Sequence, residues 1–224
     1  MANFFKSSIG QKFLMSITGL FLIVFLCVHL LMNLLLLFDS SGNLYNEGAH
    51  FMATNPLIRI VEPVLALGFI LHIVYATILT LQNQSARPVA YEVSYNNAKT
   101  TWASRNMWIL GGLVFCFLII HILDFFWKMK FGNVASVNIK GVEMEDAFAL
   151  VSGKFKTLWW LDLIYVVGAI FLGLHLHHAF WSAFQTLGLN NAKWRKRLEV
   201  IGDVYTYFVA GCFAIIPLYF LFLK

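Results

Sequence analysis

The chain has 224 residues, of which 60% are hydrophobic and only 12% charged, with a net charge of +5. A soluble domain carries roughly twice that charged fraction, so the composition excludes a protein bathed in water and points to one whose solvent is largely lipid. The modest positive charge is spread along the chain, which argues for orientation in a membrane and against nucleic acid as a partner.

Five apolar stretches approach or exceed the ~20 residues that a helix needs to cross the hydrocarbon of a bilayer. They cover residues 13–38, 57–81, 107–127, 158–184 and 204–223. Lipid offers backbone N–H and C=O groups no partner, so each stretch is expected to be helical. The chain therefore reads as an all-α polytopic membrane protein, one domain over residues 1–224. The first stretch is too long for a signal peptide, and no small-x-small cleavage pattern precedes Asp39, so it is expected to remain as a span. Pro56 opens the second stretch, and residues 82–85 with Pro88 end it. Residues 128–157, with Gly132, Gly141 and Gly153, read as one long connecting loop. Cys27, Cys116 and Cys212 lie far apart in apolar runs and are expected to be buried thiols, with neither a disulfide nor a zinc site.

Basic residues orient the spans. The amino terminus (Lys6, Lys12), the second connection (Arg87, Lys99, Arg105) and the fourth (Lys193, Arg195, Lys196, Arg197) hold nine bases against three acids, Glu92, Glu199 and Asp203. The other side, with Arg59, Lys128, Lys130, Lys140, Lys154, Lys156 and Lys224, holds seven against eight. The amino terminus is therefore expected in the cytoplasm. Trp127, Trp159 and Trp160 fall at the opposite boundary, as an aromatic belt would.

Six of the seven histidines lie within spans, where an ionisable side chain is costly and suggests function. A single one reads as a packing residue; one on each of four helices reads as a ligand set. His29 and His121 lie 16 and 14 residues into outward-running spans, in their outer halves. His72 is 16 residues past Pro56 and His175 is 16 past Trp159, both in the inner halves of inward-running spans. Two pairs at two depths follow, His29 with His121 and His72 with His175.

Two imidazoles facing each other across a four-helix bundle suit six-coordinate haem iron, whereas zinc and di-iron sites want three or more ligands at one level. Two such haems would carry electrons across a membrane with no open iron position for oxygen chemistry. Gly19 and Gly111 each precede an outer histidine by ten residues, near the inner haem's level, and Ala76 and Ala179 each follow an inner histidine by four. His177 faces the opposite side of its helix from His175, while His178 shares much of the same face; depth matching with His72 favours His175 as the ligand, and His178 is the second candidate, read rather as a group on the propionate side.

These residues resemble the five-helix, dihaem cytochrome b membrane-anchor subunit of succinate:quinone oxidoreductases and fumarate reductases, in its single-anchor form. The resemblance spans nearly the whole chain. It rests on Ser16-x-Thr18-Gly19 before His29 in VHLLMN, Ala49-His50-Phe51-Met52, His72 in LHIVYA, His121 in IIHILD, and His175-x-x-x-Ala179-x-Trp181-Ser182 followed by Thr186-x-Gly188. It implies two haems b, the inner held by His72 and His175 and the outer by His29 and His121, with Ser16 on the propionate side. It implies a flavoprotein subunit with covalent FAD and an iron–sulfur subunit on the cytoplasmic side, menaquinone as the membrane substrate and the bacterial cytoplasmic membrane as location, and it leaves open whether the whole complex pairs as a dimer. Succinate itself would be oxidised on the flavoprotein, not on this chain. Glu47, His50 and Glu62 are the titratable groups expected near a distal quinone. Two positions depart from the family: a carboxylate that some members carry in the first outer loop is Ala53 here, and a glutamate two residues before the fourth ligand is Gly173. The alternatives are the cytochrome b anchor of a hydrogenase or formate dehydrogenase, and a non-haem iron membrane enzyme whose histidines would gather at one level.

Overall fold

The computed structural model describes residue 4 and residues 7–86, 102–189 and 191–222. Lys6, Arg87, Pro88, Glu92, Lys99 and Lys224 lie outside the described residues. Five helices are long and apolar enough to cross a membrane: Ser8–Phe38, Pro56–Ser85, Met107–Phe131, Trp159–Thr186 and Ala192–Phe222. The all-α polytopic fold is therefore observed, and its helix ends follow local chemistry.

Helix α1 (Ser8–Phe38) starts where the Ser7 hydroxyl accepts from the Gly10 amide at 3.1 Å, satisfying one orphan donor of its first turn. It stops at Asp39, whose carboxylate accepts from the amides of Ser41 (2.9 Å) and Leu44 (3.0 Å) and turns the chain through Gly42, at φ 77°, into α2 (Asn43–Thr54). Asn55 accepts from the Leu57 amide at 2.9 Å and Pro56 takes the first helical position, so α3 (Pro56–Ser85) begins as sequence rules predict. After the short α4 (Trp102–Arg105) comes α5 (Met107–His121). A single π-helical turn, Ile122–Phe126, follows His121 and continues into α6 (Trp127–Phe131), completing the third span.

Residues 128–157 are not the single loop expected from their glycines. Lys128–Phe131 finish α6, and an antiparallel hairpin follows, β1 (Ser136–Ile139) paired with β2 (Val142–Glu145), Ile139 opposite Val142. Lys140 and Gly141 form its two-residue turn, both with positive φ (53° and 84°), the conformation that matches strand twist. Asp146 then accepts from the Ala149 amide at 3.0 Å and starts α7 (Ala147–Thr157). The first connection also carries a helix, α2. The two connections join: the buried Asn46 side chain donates to Asp146 at 3.0 Å and accepts from the Phe148 amide at 2.8 Å. Together α2, the hairpin and α7 form a cap over one end of the bundle. Tyr45 is sealed beneath it, and burial pushes its hydroxyl pKa up to about 12.

Helix α8 (Trp159–Thr186) ends before Gly188, at φ 90°, and α9 (Ala192–Phe222) starts twelve residues before the predicted 204. The basic run 193–197 is therefore the first turns of a helix and not a loop. Its charges lower the local hydropathy without interrupting the helix.

Helix α8 is the central element, touching α1, α5 and α9, with 39% of its most apolar window buried against 6% for α3. One core lies under the cap (Leu36, Phe125, Phe155, Leu161, Tyr165, Phe220) and a smaller one (Leu30, Leu176, Val209) midway down. Elsewhere the spans turn large apolar side chains outward, among them Val28, Leu31, Leu67, Ile70, Val167 and Ile170. That arrangement is stable only in hydrocarbon. The cysteines correct their expectation: Cys27 and Cys116 are exposed on this outer surface and Cys212 is half-buried.

Candidate functional site: two histidine pairs in the bundle

His29 on α1 faces His121 at the end of α5, ring centres 5.5 Å apart and planes at 88°. His72 on α3 faces His175 on α8, 6.4 Å apart at 68°. Each pair joins two different helices. The depths differ because Gly19 sits beside His72, where a Cβ would stand 3.4 Å from the imidazole Cε1, and Gly19 is ten residues before His29. Ten helical residues rise about 15 Å. Gly111 sits beside His175 in the same way, at 3.6 Å, ten residues before His121. Helices α1 and α5 thus give a histidine to the pair nearer the cap and a bare backbone beside the pair nearer the amino terminus.

An imidazole nitrogen binds a metal ion at about 2 Å, with its ring centre roughly 1 Å further back, so two imidazoles sharing one ion stand about 6 Å apart. Both pairs are close to that spacing. The Nδ1 atoms of His121 and His175 are buried without a hydrogen-bond partner in the protein, a costly condition in an apolar interior unless something else engages the ring. Among the described residues no three of His, Cys, Asp and Glu converge as metal ligands. The donor set is pairs of neutral-nitrogen ligands, which fits iron already held in the plane of a macrocycle.

Aromatic rings wall the upper pair. Phe25 stacks on His29 (5.3 Å) and Phe117 on His121 (6.0 Å), and Phe125, Tyr165 and Phe213 stand within 6 Å of one imidazole or the other. The lower pair has a polar neighbour. The Thr18 hydroxyl donates to the Leu14 and Met15 carbonyls (2.8 and 3.1 Å) and lies 3.3 Å from His72 Nδ1. Asn33 donates to its own helix at the His29 carbonyl, 2.8 Å, with its amide nitrogen 3.4 Å from His29 Nε2.

The remaining residues singled out in the sequence fall around these pairs. His177 points away from His175, to Asp203 at 3.2 Å and the Tyr207 ring. His178 is half-buried on α8, and Ser16 is buried on α1 two residues before Thr18. Glu47, His50 and Glu62 lie at the cap end. Glu47 pairs with Lys140 at 2.6 Å, Glu62 with Lys130 at 2.8 Å, and His50 is on α2.

A second group escaped sequence reasoning. Asp124, in the π-turn after His121, forms an ion pair with Lys154 at the end of α7, both largely buried, and Tyr165 stands beside them. Asp162, in the first turn of α8, is fully buried. Lys154 counted only as a loop base, yet a carboxylate inside an apolar run was a signal available at both aspartates.

Fold and site together define a polytopic helical membrane protein with two histidine pairs at two depths in its bundle. No protein-family model, curated protein or solved structure matches the chain.

Proposed function

We propose that the chain is a dihaem cytochrome b, the membrane anchor of a succinate:quinone oxidoreductase. The observation that carries the reading is the pairing of four imidazoles from four spans into two couples near metal-sharing distance, about 15 Å apart along α1. His72 and His175 would hold one haem b and His29 and His121 the other. Bound there, the haems supply one-electron carriers at two depths between an iron–sulfur subunit and menaquinone. The chain's own contribution is to fix ligand geometry, with Gly19 and Gly111 leaving backbone-only surfaces beside the lower pair. It also excludes water through the aromatic wall around the upper pair. The amino-terminal side, with Lys12, Arg105 and residues 193–197, would face the cytoplasm of a bacterium and its flavoprotein and iron–sulfur partners. The cap would face outward, with Glu47, His50 and Glu62 at the quinone end. Moving one electron through the membrane potential involves about 2.3 kcal/mol per 100 mV, so the direction of succinate and fumarate conversion follows the energised state of the cell.

The test is to purify the chain with its partners and record a reduced-minus-oxidised spectrum with haem quantitation. Two haems b per chain are expected. His175→Ala should lose one and His177→Ala neither, because His177 is engaged with Asp203 on the far face of α8. A colourless wild-type preparation, or loss of haem on changing His177 alone, overturns the reading.

A further inference from the structure

Helix α9 presents two faces. Leu198, Gly202, Thr206 and Val209 are buried against the bundle. On the opposite side, Val200, Ile201, Val204 and Phe208 are all more than half exposed and form a continuous apolar stripe. Followed toward the start of the helix, at the i, i+3, i+4, i+7 spacing of one helical face, the stripe runs directly into Lys193, Lys196 and Arg197. Together with Trp194, Val200 and Ile201, these three cations make up one open patch on the outward surface of α9.

The acidic residues nearby are engaged elsewhere. Glu199 pairs with Arg195 at 2.9 Å, and Asp203 lies 3.2 Å from His177. The Arg195 guanidinium lies over Trp181 on α8, away from the stripe. Among the described residues no carboxylate forms an ion pair with Lys193, Lys196 or Arg197, and the Arg197 guanidinium is held over the Trp194 ring at 5.6 Å. The apolar part of this face belongs to a helix long and apolar enough to span a membrane and points away from the bundle, a surface that acyl chain suits. The cations sit on that same face, one to two turns beyond Val200, with Trp194 among them, an order of groups that matches an anionic head beside its own acyl chains.

We propose that this face of α9 is a binding site for an anionic phospholipid, its phosphate held by Lys193, Lys196 and Arg197 and its chains laid along Val200, Ile201, Val204 and Phe208. The site rests on the membrane fold and is independent of the haem reading. The arrangement separates it from a general basic boundary: among the described residues the three charges have no carboxylate partner, and they lie on one helical face and continue an outward apolar stripe.

The test uses the purified complex in phosphatidylcholine vesicles containing a minor fraction of either brominated phosphatidylglycerol or brominated phosphatidylcholine. Trp194 emission is read as the difference between wild type and Trp194→Phe. Brominated phosphatidylglycerol should quench Trp194 as strongly as about fivefold more brominated phosphatidylcholine, the factor one lysine near an anionic surface supplies. The excess should vanish in the combined variant K193Q/K196Q/R197Q and persist in R195Q/E199Q, which alters a charge pair off the stripe. Should the triple variant fail to assemble, wild type alone decides, and added inorganic phosphate should leave its excess unchanged. Equal quenching by the two lipids, as would follow if a protein partner covers this face, overturns the proposal. So does an excess that survives the triple substitution or is abolished by phosphate.

Discussion

At the scale of single residues, Thr18 shows what four histidines alone do not specify. Its hydroxyl proton is directed to the Leu14 and Met15 carbonyls, so the oxygen offers a lone pair to His72 Nδ1, 3.3 Å away. That contact favours the proton on Nδ1 and leaves the Nε2 lone pair for a ligand, the arrangement by which a hydrogen-bonded histidine becomes a stronger metal donor. His175, its partner, has no such acceptor. In the proposed dihaem protein, Thr18→Val should weaken that donor, favour the reduced iron and raise the midpoint potential of one haem while the other stays in place. A redox titration followed optically reads this directly; a tenfold change in the oxidised-to-reduced ratio corresponds to about 59 mV for one electron. Unchanged potentials with both haems retained would show that the Thr18 contact has no influence. Which rings face which was legible in the sequence, because depth along a helix needs only a count of residues and a fixed rise. Thr18 and Asn33 were not legible as partners of particular histidines, because that depends on how neighbouring helices are rotated about their axes.

At the scale of elements, close approaches and caps govern the site's surroundings. Gly168 on α8 lies so close to α5 that a Cβ there would stand 2.4 Å from the Phe117 ring, and Phe117 stacks on His121. Gly168→Ala should therefore push Phe117 off the imidazole and cost about 1–3 kcal/mol through overpacking. Thermal unfolding in detergent measures the cost, and a wild-type melting curve would refute it. The Asp39 cap gives a pH-dependent counterpart. Hydrogen bonds from the Leu44 amide and from the Ser41 hydroxyl and amide hold its carboxyl below the ordinary 3.8. A depressed native pKa adds stability that is complete above the unfolded value and drains as pH falls through the lowered one. Protection of the Leu44 amide from hydrogen exchange should accordingly fall on acidification below about pH 4 in wild type, and should be weaker and nearly pH-independent in Asp39→Asn. Span existence was legible from hydropathy, and the caps at Ser7, Asn55 and Pro56 follow from side-chain chemistry. The hairpin at Lys140-Gly141 and the early start of α9 were hidden, the first because its strands are only four residues long and the second because hydropathy registers solvent preference and not helicity.

At the scale of the molecule, the cap and the bundle are joined by charges of unequal worth. Glu47–Lys140 and Glu62–Lys130 lie at the surface, where such pairs contribute about 0–1 kcal/mol. Asp124–Lys154 is different. Its side chains are only 19% and 15% exposed, and it ties α7 of the cap to the π-turn of the third span, one turn beyond His121. Removing one partner strands a charge in an apolar setting, which typically costs about 3–5 kcal/mol, whereas replacing both with apolar groups of similar volume is often neutral. Asp124→Leu alone and Lys154→Met alone should thus each destabilise strongly, and the double variant should recover most of the loss. A double-mutant cycle in mixed-micelle unfolding measures the coupling. Additive losses would mean that cap and bundle are held by the Phe125, Phe155 and Tyr165 contacts beneath the pair and not by the pair itself. Recovery in the double variant, with the π-turn intact, would mean that the charges select the register of α7 over the third span while the aromatic cluster supplies the cohesion.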